Sequence, residues 1–212
     1  MKKIHVKQIP GIESMTDEKV YETLDSTTET HYVDCINWSE YPYAPKVEFH
    51  LAYSDKALAV LFKVTENHLR GDAMENNGPV WEDSCWEVFI ADPFSEEYFK
   101  FETNCIGTKL ASKRRSRTEA DHFDADKMSQ IRCFSSLPHT PVDSKGTDQS
   151  WWLAEVIPFE LIGLDKAPES LRANFYKCGD KCEQMHFLSW SEIDLPAPNF
   201  HCPPFFGELI LD

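Results

Sequence analysis

The chain has 212 residues and a formal net charge of −15 at pH 7, with 42% hydrophobic and 13% aromatic residues. This composition is typical of a globular protein and excludes a largely disordered chain. The negative charge excludes nucleic acid and anionic lipid as favoured partners, because it repels their phosphate groups. No segment approaches the about 18 apolar residues of a membrane helix, so we expect no membrane span.

The length fits one domain over residues 1–212, since all-β domains commonly reach about 200–250 residues. Residues 1–30 are expected to form an N-terminal extension with a short helix, Thr16–Leu24, which Thr16 caps. The charged N-terminus has no apolar stretch after it, which predicts a cytoplasmic protein unless a leader is missing from the sequence. We expect a monomer.

Short strand-like segments follow, and turn residues separate them. Lys46–Ser54 and Lys56–Glu66 form a predicted hairpin around Ser54-Asp55-Lys56. The other predicted strands are Ser84–Asp92, Glu97–Asn104, Ile106–Lys113, Gln130–Phe134, Trp151–Pro158, Leu171–Cys178, His186–Trp190 and Phe206–Leu211. Two further short helices are predicted at Thr118–Met128 and Phe159–Gly163.

Many short strands without long alternating helices predict an all-β fold, an antiparallel β-sandwich of jelly-roll or DOMON-like type with a few short helices. Alternation assigns the faces of the strands. Trp86, Val88 and Ile90 share one apolar face, which predicts that Trp86 lies in the core. The opposite faces carry Glu, Asn, Arg and Tyr, a mixture that fits a binding surface as well as a solvated one.

Seven cysteines occur, at spacings unlike those of a small disulfide-rich scaffold. Buried free thiols are the favoured interpretation. Cys178 and Cys182 are the one close pair, and a disulfide or a metal site there stays open. The basic run at residues 113–117 is interpreted as a solvated loop, and we predict no metal-binding His cluster.

Trp81 and Trp190 stand beside strand-like segments and next to polar residues. A pyranose ring offers an apolar C–H face that stacks on an indole and a rim of hydroxyls that needs polar partners. Flat aromatic faces among polar side chains are therefore typical of sugar recognition.

An ordered set of segments resembles carbohydrate-binding module family 9, a relative of the DOMON-type sandwiches. The matching segments extend from about Ile36 to Leu211. They are Trp81-Glu82-Asp83-Ser84-Cys85-Trp86-Glu87-Val88-Phe89, Phe99-Lys100-Phe101-Glu102-Thr103-Asn104, Ile157-Pro158-Phe159, Arg172-Ala173-Asn174-Phe175-Tyr176, Ser189-Trp190-Ser191 and Phe205-Phe206-Gly207.

The resemblance implies a non-catalytic β-sandwich that binds a mono- or oligosaccharide and supports polysaccharide use in bacteria. It implies that Trp81 and Trp190 hold the sugar between them and that Glu87 accepts its hydroxyls. The polar residues of the matching strands, Glu102, Asn104, Arg172 and Asn174, complete the expected site. Structural calcium also occurs in the family, although a full ligand set is not recognisable here. No other cofactor is expected.

Two other functions stay open from the residues alone. Glu87 with Glu102 or Glu155 could supply the pair of carboxylates that glycoside hydrolysis requires. A DOMON-type haem or redox domain would need a His or Met on its binding face, and Met185-His186 is the one suggestive pair.

Overall fold

A computed structural model describes residues 2–211 as two β-sheets and a few short helices. The front sheet contains β1 (Lys3–His5), β4 (Cys35–Ile36), β7 (Cys85–Ala91), β8 (Tyr98–Asn104), β9 (Lys109–Arg114), β10 (Ala120–His122), β13 (Ser170–Cys178), β14 (Phe187–Ser189) and β15 (Gly207–Ile210). The back sheet contains β2 (Lys7–Gln8), β3 (His31–Tyr32), β5 (Lys46–Tyr53), β6 (Ala57–Gly71), β11 (Arg132–Ser135) and β12 (Val142–Pro158).

Helices α1 (Asp17–Thr27) and α2 (Ala125–Gln130) and four 3-10 turns complete the fold. The turns are Ile12–Ser14, Val80–Glu82, Phe159–Ile162 and Pro203–Phe205. The predicted cap is confirmed, since the Thr16 hydroxyl accepts a hydrogen bond from the Lys19 amide at 3.3 Å.

The strand order confirms the predicted all-β sandwich. The front sheet runs β1-β15-β13-β7-β8-β9-β10, with β14 beside β13 and β4 beside β14. The back sheet runs β11-β12-β6-β5-β2, with β3 also on β5. Strands β5 and β6 form the predicted hairpin.

Two pairings differ from the antiparallel expectation, because β1 runs parallel to β15 and β2 runs parallel to β5. Only Val6 separates β1 from β2, so one extended segment covers an edge of each sheet. Within the expected N-terminal extension, residues 3–8 therefore pair with both sheets, and the short helix predicted there corresponds to α1. The physical reason for this pairing is that each sheet edge would otherwise expose unpaired backbone N–H and C=O groups.

The main core lies between the sheets. Trp86 and Val88 of β7 and Phe175 of β13 meet Phe49 and Phe62 of the back sheet there. The predicted inward position of Trp86 is confirmed, since its side chain is fully buried. A front-sheet lysine, Lys177, also points into this interior and forms an ion pair of 2.9 Å with Glu66 of β6.

A second apolar layer covers the outer face of the front sheet. The covering loop, residues 192–206, folds back over this face and places Phe200 against Tyr176 and Phe206 against Phe89. The indole N–H of Trp38 donates to the Leu195 carbonyl at 2.8 Å, and the Tyr176 hydroxyl donates to the Phe200 carbonyl at 3.1 Å. The outer face of the front sheet therefore carries an apolar layer in one part and an open cavity in another.

Candidate functional site

A cavity of about 270 Å³ opens between the outer face of the front sheet and the covering loop. We call it the front cavity. Strands β7, β8 and β9 supply its floor, and the loops around residues 81, 117, 180 and 199 supply its rim. Its lining consists of Trp81, Glu87, Lys100, Glu102, Arg114, Arg117, Cys178, Asp180, Phe187, Pro198, Asn199, Phe200 and His201.

Two carboxylates form the centre of the floor. Glu87 of β7 and Glu102 of β8 are direct cross-strand partners, so their side chains project side by side into the front cavity. Both are only 3% exposed. The Lys100 ammonium forms an ion pair of 2.6 Å with Glu102 Oε1, while Glu102 Oε2 is buried without a hydrogen-bond partner among the described residues. This oxygen can accept a hydrogen bond from a protonated Glu87 or from a ligand.

The environment of Glu87 favours its protonated form. Burial, and then the charge of Glu102, raise the pKa of Glu87 well above its usual value. The Cys178 thiol donates a hydrogen bond to Glu87 Oε1, with Sγ 3.3 Å away. Glu87 can therefore donate a hydrogen bond to a ligand when it is protonated, whereas it can only accept hydrogen bonds when it is ionised.

The indole of Trp81 forms part of the rim. It belongs to the 3-10 turn Val80–Glu82, and its carbonyl accepts a hydrogen bond from the Asp180 amide at 3.2 Å. This side chain is 37% exposed, and the Lys100 ammonium lies 5.8 Å from the ring centroid. A flat apolar surface is thus held in place beside the polar floor.

Two further aromatic rings line the front cavity. Phe200 stacks on Tyr176 with ring centroids 4.2 Å apart, and Phe187 meets Phe200 edge to face at 6.1 Å. Sequence patterns did not indicate that these rings would join Trp81, because Phe187 and Phe200 come from different segments. They are the aromatic partners that the geometry offers in place of Trp190.

His201 lies near three cationic side chains of the front cavity. Burial, followed by the charges of Lys100, Arg114 and Arg117, lowers the pKa of His201 to about 2. The ring is therefore neutral, and its Nδ1 lies 2.7 Å from the Tyr98 hydroxyl. On the acidic side of the rim, burial, followed by the charges of Glu102 and Glu82, raises the pKa of Asp180 to about 6.

The basic run at residues 113–117 divides between two sides of β9 and the turn after it. Lys113 and Arg115 point away from the front cavity and form ion pairs with Glu97 at 2.5 and 3.1 Å. Arg114 and Arg117 line the front cavity. The interpretation of the whole run as a solvated loop is therefore wrong for Arg114, because the alternation of side chains along β9 directs Arg114 into the front cavity.

Trp190 lies in the main core, which corrects its predicted place in a sugar clamp. Its side chain is 4% exposed and packs against Phe49 and Phe175, with centroids 6.3 and 5.6 Å away. Its amide donates to the Phe175 carbonyl, which continues the sheet past β14 and turns the indole inward. The prediction placed Trp190 in a binding site because its sequence neighbours are polar, but Ser189 and Ser191 are themselves buried.

Three other predicted ligand residues lie outside the front cavity. Asn104 holds a turn, with Nδ2 donating to the Ala73 carbonyl and to Asp83 at 2.9 Å. Asn174 is fully buried and bonds the backbone of Ser191 through both ends of its amide. Arg172 donates to the Ser95 carbonyl at 2.6 Å, four residues along β13 from the level of Glu87. These amides and this guanidinium are occupied in fixing loops, so their expected ligand role is corrected.

The alternative carboxylate Glu155 points into the core and not toward Glu87. The Thr103 hydroxyl donates to Glu155 Oε1 there. Burial raises the pKa of Glu155 to about 7. A catalytic pair of Glu87 with Glu155 is therefore wrong for this fold, whereas Glu87 and Glu102 do meet.

The residues offered for haem ligation do not fit that role. His186 is fully buried, with Nε2 2.9 Å from the Lys177 ammonium and Nδ1 2.8 Å from the Gln184 carbonyl. An axial ligand needs a free ring nitrogen facing an open site. Met185 is exposed, away from the residues that line the front cavity.

All seven cysteines are free, so Cys178 and Cys182 do not form a disulfide. Within residues 2–211, no group of three or more His, Cys, Asp or Glu side chains is arranged to hold a metal ion. The structural calcium implied by the resemblance stays a prediction. In the same described range, none of the helices combines the length and apolarity that crossing a bilayer requires.

The fold and the front cavity define a ligand-binding β-sandwich with a polar floor and an aromatic rim. The family model described as carbohydrate-binding family 9 matches residues 18–211. This chain therefore belongs to carbohydrate-binding family 9, and carbohydrate binding is its class of function. The expected resemblance is confirmed.

Three solved structures are similar to the chain. A crystal structure of a candidate carbohydrate-binding protein from Bacteroides uniformis ATCC 8492 shares 35% identity, with 100% of this chain and 99% of that chain covered and a TM-score of 0.94. A family 9 module from Caldicellulosiruptor kristjanssonii in complex with glucose shares 16% identity, with 100% and 96% covered and a TM-score of 0.63. The module from that organism in complex with cellotriose shares 17% identity, with 99% and 93% covered and a TM-score of 0.61. The two modules show the same fold. No curated protein matches the chain.

Proposed function

We propose that the front cavity binds a mono- or oligosaccharide without cleaving it. Trp81 stacks on the apolar face of one sugar ring, and Phe187 and Phe200 supply further apolar contact. Glu87 and Glu102 accept hydrogen bonds from sugar hydroxyls, and Lys100 and Asn199 complete the polar contacts. The observation that carries this proposal is the position of an exposed indole on the rim of a cavity whose floor holds two buried carboxylates.

The size of the front cavity supports a small ligand. Its volume of about 270 Å³ lies near the lower end of small-molecule sites, which begin at about 300 Å³. At about 25 cal/mol per Å² of apolar area, stacking contributes a few kcal/mol. Desolvation of the hydroxyls offsets part of this, so we expect dissociation constants in the micromolar to millimolar range.

The relatives support a role in polysaccharide use. Modules of the same fold have been seen with glucose and with cellotriose, and their source is bacterial. The products and the ends of a plant polysaccharide are ligands of this size. We extend this role to the present chain as part of the proposal.

The geometry of the two carboxylates favours binding over hydrolysis. Glycosidases place their carboxyl groups on either side of the scissile bond. Glu87 and Glu102 lie side by side on one floor instead, and Lys100 already pairs with Glu102. Both carboxylates can therefore contact one side of a sugar ring but do not flank it.

Calorimetric titration with glucose, cellobiose and cellotriose tests the proposal. We expect binding by the wild type and at least a tenfold loss in Trp81→Ala, corresponding to about 1.4 kcal/mol. Trp152→Phe is the matched control, because Trp152 lies on the other sheet against Tyr21 and should leave binding unchanged. Equal binding by wild type and Trp81→Ala would contradict the assigned site.

A second assay separates binding from catalysis. Incubation with cello-oligosaccharides should release no reducing sugar from the wild type. Release that disappears in Glu87→Gln, in a variant that still folds, would replace the binding function with a hydrolytic one.

A further inference from the structure

Arg114 is a buried cation without an anionic partner. Its side chain is 8% exposed, and it forms no ion pair with a carboxylate among the described residues. Its Nε donates to the Ser112 hydroxyl at 2.9 Å, and its NH1 donates to the Arg117 carbonyl at 2.8 Å. Both acceptors are neutral. A buried charge is costly unless an opposite charge meets it, so this environment favours an added anion.

Three neighbouring cations have an anionic partner. Lys100 pairs with Glu102 at 2.6 Å, and Lys113 and Arg115, on the other side of the same run, pair with Glu97. Arg117 lies at the exposed rim and, like Arg114, forms no ion pair with a carboxylate among the described residues. Of these two unpaired cations of the front cavity, Arg114 is the buried one.

We propose that the front cavity selects a sugar that carries a carboxylate, a hexuronic acid, and that Arg114 binds this carboxylate with help from Arg117. This inference rests on the proposed function, because it assigns the ligand class of the same site. A guanidinium presents parallel N–H donors that match the two oxygens of a carboxylate. The indole of Trp81 would stack on the uronic acid ring while its acidic group faces Arg114.

The two floor carboxylates, Glu87 and Glu102, could repel an anionic sugar and so oppose the preference for a hexuronic acid. Glu102 is paired with Lys100, and the raised pKa of Glu87 keeps this carboxyl protonated to a higher pH than an ordinary glutamate. An anion entering beside Arg114 therefore meets less repulsion than a count of the lining carboxylates suggests. The overall charge of −15 slows the approach of an anion from a distance, but salt screens that long-range effect.

The test compares ligands on the wild-type protein. Calorimetry with D-glucuronic acid and D-galacturonic acid should show dissociation constants at least tenfold lower than those of their neutral methyl esters and of glucose and galactose. The ester keeps the ring and its hydroxyls, adds one methyl group and removes the negative charge. This comparison does not depend on the folding of any variant.

Variants then locate the effect. Arg114→Gln should abolish the preference for the acid over the ester, measured as the ratio of the two dissociation constants within this variant. Arg114→Lys, which keeps the charge but not the paired donors, should keep part of the preference. Arg115→Gln is the matched control, because its side chain is 59% exposed and faces Glu97, and it should keep the full preference.

The outcomes are separable. Binding of neutral sugars with no gain for the acids would overturn this inference and leave the proposed function intact. A stronger preference for glucose 6-sulfate than for glucuronic acid would overturn the assignment to a carboxylate. Failure of every sugar, neutral or acidic, to bind would remove the proposed function itself.

Discussion

Glu87 and Glu102 face the same cavity from adjacent strands and share one cation, Lys100, which pairs with Glu102. Two buried carboxylates with a single ammonium between them cannot both hold full charge without cost. Glu87 is the carboxyl that favours its protonated form, because burial and then the charge of Glu102 raise its pKa. Ligand binding at this floor should therefore depend on pH.

We predict that neutral sugars bind more tightly as pH rises. The folded protein keeps Glu87 protonated above the usual pKa of a carboxyl, and ionisation turns it into a stronger acceptor for hydroxyl groups. Acidic sugars should show the opposite trend, because the new negative charge repels them. Calorimetry between about pH 5 and 8 measures both trends.

Glu87→Gln should weaken the pH dependence of both profiles and leave the part that arises from Asp180, whose pKa is about 6. Glu97→Gln, on the outer surface beside Lys113 and Arg115, should leave both profiles unchanged. A pH trend of the same sign for glucose and glucuronic acid would contradict this role of Glu87.

Glu155 makes folding stability depend on pH in a defined window. Burial raises its pKa from about 4.5 to about 7, so between these values the folded state holds a proton that the unfolded state has lost. Its contribution to the free energy of unfolding is therefore fully present below pH 4.5 and is lost as pH rises through 7, by up to about 3 kcal/mol.

Glu155→Gln cannot lose this proton, so the variant should gain stability relative to wild type as pH rises through the window. Urea unfolding of both proteins at several pH values measures the difference, and Glu18→Gln on the exposed surface of α1 is the control. A difference between Glu155→Gln and wild type that does not change with pH would contradict the prediction.

The ion pair between Lys177 and Glu66 joins the two sheets inside the core. The Lys177 ammonium contacts Glu66 Oε2, the Cys178 carbonyl and His186 Nε2, each at 2.9 Å. Lys177→Met leaves the Glu66 carboxylate buried without its cation, which should cost about 3–5 kcal/mol. Urea unfolding measures this loss.

The double variant Lys177→Met/Glu66→Gln should recover part of the stability, because no charge is then left unpaired. The surface pair Lys46 and Glu48 provides the comparison, since Lys46→Met should cost far less stability than Lys177→Met. Equal losses for the buried and the surface lysine would contradict the prediction.

Gly207 permits the burial of Trp190. A Cβ placed at residue 207 would meet the Trp190 ring and come within 2.8 Å of the Lys2 carbonyl. Gly207→Ala should therefore destabilise the fold by about 1–3 kcal/mol through overpacking. Combination with Trp190→Phe, which removes ring atoms at this contact, should cost less than the sum of the two single changes. Thermal unfolding of the three variants measures this coupling.

The sequence determined most of the longer strands, their inward faces and part of the site, but not the short strands β1 to β4 and β10. Alternation identified Trp86 and Val88 as core residues, because side chains along a strand point to opposite faces with a period of two. The resemblance placed Trp81 and Glu87 at positions that do line the front cavity. The spacing that joins these two residues is short, so local sequence was enough to bring them together.

Only the tertiary structure decided the rest of the site. Asn174 and Asn104 belong to polar faces, but distant loops at Ser191 and Ala73 return to occupy their amides. Trp190 is flanked by serines, yet the pairing of its strand with β13 turns the indole into the core. Phe200 and Arg114 enter the same cavity from segments more than 80 residues apart. Periodicity states which side of a strand a residue occupies, whereas the path of a covering loop decides whether that side meets water, protein or a ligand.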